Sequence, residues 1–532
     1  MKKFKLPSMA VSTLFLLWAI LFGAIVRFTP LVSSDFPIND GGVFYVMVED
    51  LKAAGYSLPA YTTYNRAQIP FAYPPLGLYL AAILSDVLKI SLIQLFRWIP
   101  AIVTTAMIPV FYLLARAVTG SQIKAGLASV AYAFLPHSFV WLVMGGGITR
   151  SLGYLFSLLV LYHAYLLFTR GERKRILYAA LFGGMTILSH PEAALQTVLL
   201  GAMLWLFLGR TKRSTLAALG VAAGVALIVA PWLVTVISRH GLVPFQAAAK
   251  TGGYSGAFWL PLLTFDFTEE PFLTLISVMG VLGFILLLAR REFLLPAWFV
   301  LPFLVGPRGA PADATVPLAI AAGIGLSDVI LPGIARARRV GTEERPLSHF
   351  WENDGWRDPA ALGVLGFFLV YSLITGYSYS LTLTRLVLSK GENAALAWVR
   401  DSTPAESRFV LITKGEALSD PLQEWFPALT ERVNQGVVQG YEWMPDGQFM
   451  SRYVSFAELQ ACALEGIACL EAWVDKQGDG TELIWLSRGG LRLSEGKAPF
   501  RGRNTPLAVA LSASPDYVLV YGSDEVKIFA HR

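Results

Sequence analysis

Leu14-Phe15-Leu16-Leu17-Trp18-Ala19-Ile20-Leu21-Phe22-Gly23-Ala24-Ile25-Val26 contains no charged side chain. It lies inside an apolar segment from Ser8 to Thr29, long enough to cross a hydrocarbon layer of roughly 30 Å. Lys2, Lys3 and Lys5 precede it, as in a secretory leader. No clear small-residue cleavage site follows, so an uncleaved first helix is expected. Similar apolar stretches recur as far as Ser378 and then stop. The 532 residues are 55% hydrophobic and 15% charged, whereas soluble domains carry about a quarter charged residues. The expected architecture is an α-helical polytopic membrane domain over residues 1–378, followed by a small soluble α/β domain over 379–532.

The net charge of +6 does not point to nucleic acid. Lys and Arg sit in short clusters between apolar stretches and form no continuous face. With the N-terminus inside, the cytoplasmic turns are Lys2 to Lys5, Arg116 to Lys124, Arg170 to Arg175, Arg210 to Arg213, Arg290 to Arg291 and Arg336 to Arg357. The positive-inside rule then holds at each of them. The spans fall near 8–29, 98–117, 124–143, 151–169, 176–189, 192–209, 214–237, 272–289, 293–306, 315–333 and 359–378, about eleven in all. An odd number puts the C-terminal domain on the extracytoplasmic side, with the plasma membrane as the expected location. Pro74-Pro75-Leu76-Gly77 through Leu88 is read as a helix along the outer face, its prolines suiting a helix start.

This topology places a long first loop, 29–97, a short second loop and a third long loop outside. Loops held on a rigid scaffold are where chemistry concentrates. Sugar transfer from a phosphorylated lipid needs a carboxylate for the acceptor and positive charge for the departing phosphate. Asp40 is the candidate for the first role, with an ordinary Asn-Asp-Gly turn as its alternative. Arg150 and Arg308, at outer helix ends, are candidates for the second, with lipid-headgroup anchoring as theirs. Glu269 and Glu270, with Asp266 beside them, are candidates to join Asp40 around a divalent cation, Mg or Mn, through oxygen ligands. Capping of the following helix is the other reading of that segment. Glu49, Asp50, Tyr73 and His190 are further pocket candidates.

Asn39-Asp40-Gly41-Gly42-Val43-Phe44, followed by Glu49-Asp50-Leu51, resembles the first-loop motif of the catalytic subunit of prokaryotic oligosaccharyltransferases. More broadly it resembles the GT-C superfamily of polyprenyl-phosphate-sugar-dependent transferases. Tyr73-Pro74-Pro75-Leu76, the basic turn Arg116 to Lys124, and Gly147-Ile148-Thr149-Arg150-Ser151-Leu152-Gly153-Tyr154 are similar to further family segments in the same order. The likeness covers roughly residues 8–170. It implies a GT-C fold, a first-loop Asp that binds metal and acceptor, and a lipid-phosphate arginine, for which Arg308 before Pro317 is the match. Two departures stand out. The family's paired acids after Gly-Tyr are replaced here by Leu155-Phe156-Ser157, and the Trp-Trp-Asp acceptor motif is absent. Asp40 is therefore better cast as an acceptor-activating base than as one ligand of a complete metal site, and asparagine glycosylation is not expected.

The C-terminal segment reads as a helix from Asn393, then strands Phe409 to Thr413, Leu483 to Leu486, Tyr517 to Tyr521 and Val526 to Phe529. Its aromatic stretch Gln423 to Trp443 is read as core or as glycan-binding surface. Cys462 and Cys469 are bridgeable only if Gly466 breaks the helix, because seven residues of helix rise about 10 Å.

The expected activity is transfer of a sugar from a polyprenyl-phosphate or polyprenyl-pyrophosphate donor to a glycan, protein or lipid acceptor at the outer membrane face. The competing class is a non-catalytic component of polysaccharide assembly or lipid binding on the same scaffold.

Overall fold

The computed structural model describes residues 8–251, 268–306, 309–338, 358–445, 447–478, 480, 482–493 and 502–532. Each of the eleven expected spans coincides with a helix. Among the described residues, seven helices are long and apolar enough to cross a membrane: Val11–Val32, Leu92–Thr119, Gly147–Arg170, Pro191–Leu208, Lys212–His240, Ala310–Ala337 and Pro359–Leu383. Gln122–Phe134, Lys174–Ile187, Leu275–Ala289 and Leu294–Val305 are shorter. A helix of about fourteen residues rises roughly 21 Å, less than the hydrocarbon thickness. Length and composition thus support seven crossings, not the full eleven.

Two of the boundary differences from expectation trace to proline. The helix from Gln122 stops at Phe134, since Leu135 precedes Pro136 and takes an extended ψ of 125°. The second loop therefore begins several residues before Trp141. The late helix starts at Ala310, with Pro311 in its first turn, so Asp313 falls inside the span.

Helix Ser8–Val32 packs on Gln122–Phe134, and Leu92–Thr119 on Gly147–Arg170. Small residues let the backbones approach, as where Gly126 meets Phe15 and Gly283 meets the Ala321 carbonyl. Arg27 is wholly buried in the first helix. It donates to the Ala133 carbonyl at 2.8 Å and to Ser138 Oγ at 3.1 Å, anchoring that helix to the start of the second loop.

The first loop is ordered. It runs through helix Gly42–Ala53, strands β1 (Tyr61–Thr62) and β2 (Ile69–Pro70) paired antiparallel, and helix Leu76–Leu88. The C-terminal domain has helix Lys390–Ser402 and a five-stranded sheet. Its strands are β3 (Arg408–Ile412), β4 (Val433–Asn434), β5 (Leu483–Ser487), β6 (Tyr517–Gly522) and β7 (Val526–His531), in the order β4-β3-β5-β7-β6. The last membrane helix continues to Leu383, past the expected boundary at Tyr379. Gly466, at φ 93°, separates helices Gln448–Glu465 and Ile467–Gln477, which brings the bridged Cys462 and Cys469 to a Cα separation of 5.3 Å.

The two parts share one apolar core. Val43, Met47, Tyr64 and Phe71 of the first loop pack with Leu411, Trp425, Phe426 and Trp485 of the C-terminal domain. The C-terminal domain is thus fastened to the loop that carries Asp40.

Candidate functional site

Asp40 sits in a tight turn between Asn39, at φ 52°, and Gly41, at φ 125°. Only glycine adopts the second conformation without strain. The turn presents the Asp40 carboxylate to the start of helix Gly147–Arg170. There Arg150 Nη1 donates to Oδ2 at 2.6 Å and Nη2 to Oδ1 at 3.1 Å. The Gly146 N–H adds a bond to Oδ1 at 2.9 Å. Arg150 is itself oriented by the Trp141 carbonyl, at 3.2 Å from Nε and 2.9 Å from Nη2. A carboxylate offers about four acceptor positions; three are filled here, leaving one for an incoming hydroxyl.

This approach depends on glycines in the second loop. A Cβ at Gly145 would lie 2.0 Å from the Asp40 carbonyl oxygen, and one at Gly146 2.8 Å from Asp40 Oδ2. The opposite side of the turn is held by helix Pro421–Thr430. Glu424 Oε1 accepts from the N–H groups of Gly41 at 3.0 Å and Val43 at 3.1 Å. Trp425 Nε1 donates to the Asn39 carbonyl at 2.9 Å. The Tyr64 hydroxyl donates to the Glu424 carbonyl at 2.8 Å. Burial, reinforced by the negative charge of Asp40, pushes the Glu424 carboxyl up to about 8.

A second polar group adjoins this one. The Tyr73 hydroxyl lies 3.0 Å from Thr149 Oγ1 and 2.8 Å from His190 Nδ1. Burial raises this phenol well above its ordinary value. His190 precedes Pro191 at the start of the next helix, and its Nε2 is 3.9 Å from Glu192 Oε2. Asp313 is buried with its carboxylate 3.5 Å from the Tyr154 hydroxyl. It lines a cavity of about 20 Å³, room for one water, together with His137 and Tyr132. Asp313 falls inside this helix because the helix begins at Ala310, ahead of the expected start at 315.

Asp40, Arg150, Tyr73 and His190 are therefore brought together. The other candidates are placed differently. Glu49 is exposed on helix Gly42–Ala53. Asp50 accepts from Thr62 Oγ1 at 2.6 Å and from the Thr63 N–H at 2.9 Å, which ties the β1 end of the loop to that helix. Glu269 accepts from the Tyr379 hydroxyl at 2.7 Å and lies 3.8 Å from His137 Nε2. Glu270 caps helix Leu275–Ala289, accepting from the N–H groups of Ile276 and Ser277 at 3.0 and 3.1 Å. Arg308 and Asp266 lie outside the described residues.

Among the described residues no three His, Cys, Asp or Glu side chains converge to hold an ion. The Asp40 oxygens face Arg150 and Gly146, and those of Glu270 serve the helix cap. The described residues do not fit a metal bound jointly by Asp40, Glu269 and Glu270.

Glu424, Trp425, Gly145, Gly146 and Asp313 were missed in sequence. The run Gly145-Gly146-Gly147 was a usable sign of close backbone approach. The pairing of Glu424 with a loop nearly 400 residues away left no local trace.

No protein-family model matches the sequence, and neither does any curated protein. The fold is nevertheless that of the GT-C glycosyltransferases. The archaeal oligosaccharyltransferase AglB from Archaeoglobus fulgidus, in complex with an inhibitory peptide and a dolichol-phosphate, aligns over 90% of this chain and 69% of its own. That alignment has a TM-score of 0.59 at 15% identity. ArnT from Cupriavidus metallidurans, bound to undecaprenyl phosphate, aligns over 96% of this chain and 98% of its own at TM-score 0.54 and 16% identity. The mycobacterial arabinofuranosyltransferase AftD aligns over 99% of this chain but 40% of its own, at TM-score 0.56 and 15% identity. At such identity the likeness establishes the fold.

Proposed function

We propose that this protein transfers a sugar from a polyprenyl-phosphate or polyprenyl-pyrophosphate donor to an acceptor hydroxyl at the outer face of the membrane. The observation that carries this reading is the bidentate contact of Arg150 with Asp40, held between the second loop and the C-terminal domain. A carboxylate and a guanidinium side by side, on a fold whose solved examples include proteins bound to dolichol-phosphate and undecaprenyl phosphate, support this reading.

In this mechanism the donor phosphate competes with Asp40 for the Arg150 guanidinium, which matches phosphate geometry as well as carboxylate geometry. Asp40 then accepts the proton of the acceptor hydroxyl. The acceptor oxygen bonds to the anomeric carbon, the bond from that carbon to the phosphate oxygen breaks, and the phosphate departs with the electron pair. Arg150 stabilises the charge that develops there. A divalent cation has no step in this scheme.

The test is transfer of labelled sugar from a synthetic polyprenyl donor in membranes carrying the wild-type chain, Asp40→Asn or Arg150→Ala. Loss of about two to three orders of magnitude is expected in each variant, in the range for removing a general base or a charge-stabilising donor. Wild-type rates in Asp40→Asn would refute the mechanism. Absence of transfer by the wild type with every polyprenyl donor, alongside retained lipid binding, would favour the non-catalytic alternative.

A further inference from the structure

The interface between the first loop and the C-terminal domain contains a groove of about 370 Å³, inside the usual range for small-ligand sites. Its walls carry three guanidinium groups, those of Arg66, Arg408 and Arg452, and one carboxylate, that of Glu406, which is ion-paired with Arg66, so the lining is cationic by two charges. Ala67 and Val433 are its only aliphatic lining residues, and the remainder is mostly amide-bearing, so the groove suits a hydrated, hydrogen-bonding ligand better than an apolar one.

The groove is built, not incidental. Its floor is a reciprocal amide joint: Asn65 Nδ2 donates to the Asn434 carbonyl at 3.1 Å, and the Asn434 N–H donates to Asn65 Oδ1 at 2.8 Å. Asn65, Arg66 and Gln68 all have left-handed backbone, with φ of 52°, 54° and 50°. Such conformations persist where surrounding structure over-determines them, and they cluster at binding sites. Arg452 stacks over the Tyr441 ring at 3.7 Å from its centroid and donates to the Gln435 carbonyl at 3.2 Å, so its head is held in place. Tyr441 begins the short turn ending at Trp443, whose ring lies 5.6 Å from that of Tyr73, beside Thr149. One edge of the groove is therefore linked through Trp443 to the Tyr73 side of the Asp40 site.

We propose that this groove is a binding subsite for an anionic saccharide, the part of an acceptor glycan that bears carboxylate or phosphate groups. The assignment rests on the glycosyl-transfer reading above and specifies its acceptor class. Guanidinium groups supply bidentate contacts to either anion, and the amides supply partners for sugar hydroxyls.

The experiment measures calorimetric binding to the full-length protein in nanodiscs at low salt. The probes are trigalacturonate, a phosphorylated maltotriose, unmodified maltotriose and triglutamate. At least one charged saccharide is expected to bind about tenfold more tightly than maltotriose, and which one identifies the anion. Arg452→Gln is expected to weaken that binding about fivefold to tenfold, and so is Arg66→Gln, whose side chain is exposed and takes no part in the core. Equal binding of neutral and charged sugars, equal binding of triglutamate, or wild-type affinity in both variants would overturn the proposal. Asp40→Asn separates the two readings. Lost transfer with intact charged-saccharide binding supports both; unchanged transfer with intact binding overturns only the mechanism; lost transfer in Asp40→Asn with no binding in the wild type overturns only the subsite.

Discussion

Arg150 and Asp40 meet through two hydrogen bonds, of 2.6 and 3.1 Å, although 110 residues separate them in the chain. The guanidinium is locked by the Trp141 carbonyl and the carboxylate by the Gly146 N–H. Neither partner is free to relax when the other is changed. Lysine retains the charge of Arg150 but loses the planar fork. Arg150→Lys should therefore lower transfer by about tenfold or more, mostly in kcat if Arg150 serves the departing phosphate. Initial rates at saturating donor test this, and a pure KM effect would count against that role.

Chelation should leave transfer unchanged. The described carboxylates do not assemble a cation site, and Arg150 already supplies positive charge beside Asp40. Rates measured after dialysis against EDTA, then with Mg or Mn restored, should agree within about twofold, well below the tenfold that corresponds to 1.4 kcal/mol. A loss rescued by either ion would reinstate the metal.

Glu424 predicts an alkaline limb. Its folded pKa of about 8 lies above the ordinary carboxyl value, so the folded protein retains this proton between the two values, where the unfolded chain has lost it. The stability due to this group is thus fully present below the ordinary carboxyl pKa and declines as pH rises through about 8. Asp40 and Glu442 face Glu424 with negative charge, Arg150 with positive charge, and Tyr64 completes the surroundings. Ionised Glu424 would add repulsion toward a donor phosphate. Transfer should fall above pH 8, and Glu424→Gln should flatten that limb while preserving the packing. Superimposable pH profiles would remove Glu424 from the site.

Gly145→Ala should disable the site with little change elsewhere. The added methyl would sit 2.0 Å from the Asp40 carbonyl oxygen, forcing the turn to move, and overpacking of this kind costs about 1–3 kcal/mol. Gly201→Ala is the matched control, since nothing lies within 4 Å of its Cβ. Thermal unfolding together with transfer rate distinguishes a displaced turn from a misfolded protein.

Trp425→Phe keeps an aromatic ring but loses part of the indole's buried volume and the donor to the Asn39 carbonyl. Leaving a buried acceptor unmet costs about 1–3 kcal/mol. A lower unfolding temperature is expected, with a drop in transfer if the C-terminal domain sets the position of Asp40. Wild-type values for both would show that the clamp does not matter.

The apolar runs up to Ser378, the basic turns between them and the later strand pattern were legible because hydrophobic length and period are local properties. Asp40 and Arg150 stood out as charged groups in loops expected on the outer side, and the structure brings the two into contact. The boundaries at Phe134 and Ala310 depended on how single prolines were accommodated, and Asp313 was overlooked as a result. What the chain alone did not disclose was pairing. The Asp40 turn is completed by Gly145 and Gly146 from the second loop and by Glu424 and Trp425 from a domain that sequence had set apart as an independent soluble unit. Hydrogen bonds between residues more than 100 positions apart leave no periodic signal, and they exist only once the shared core has brought those loops together.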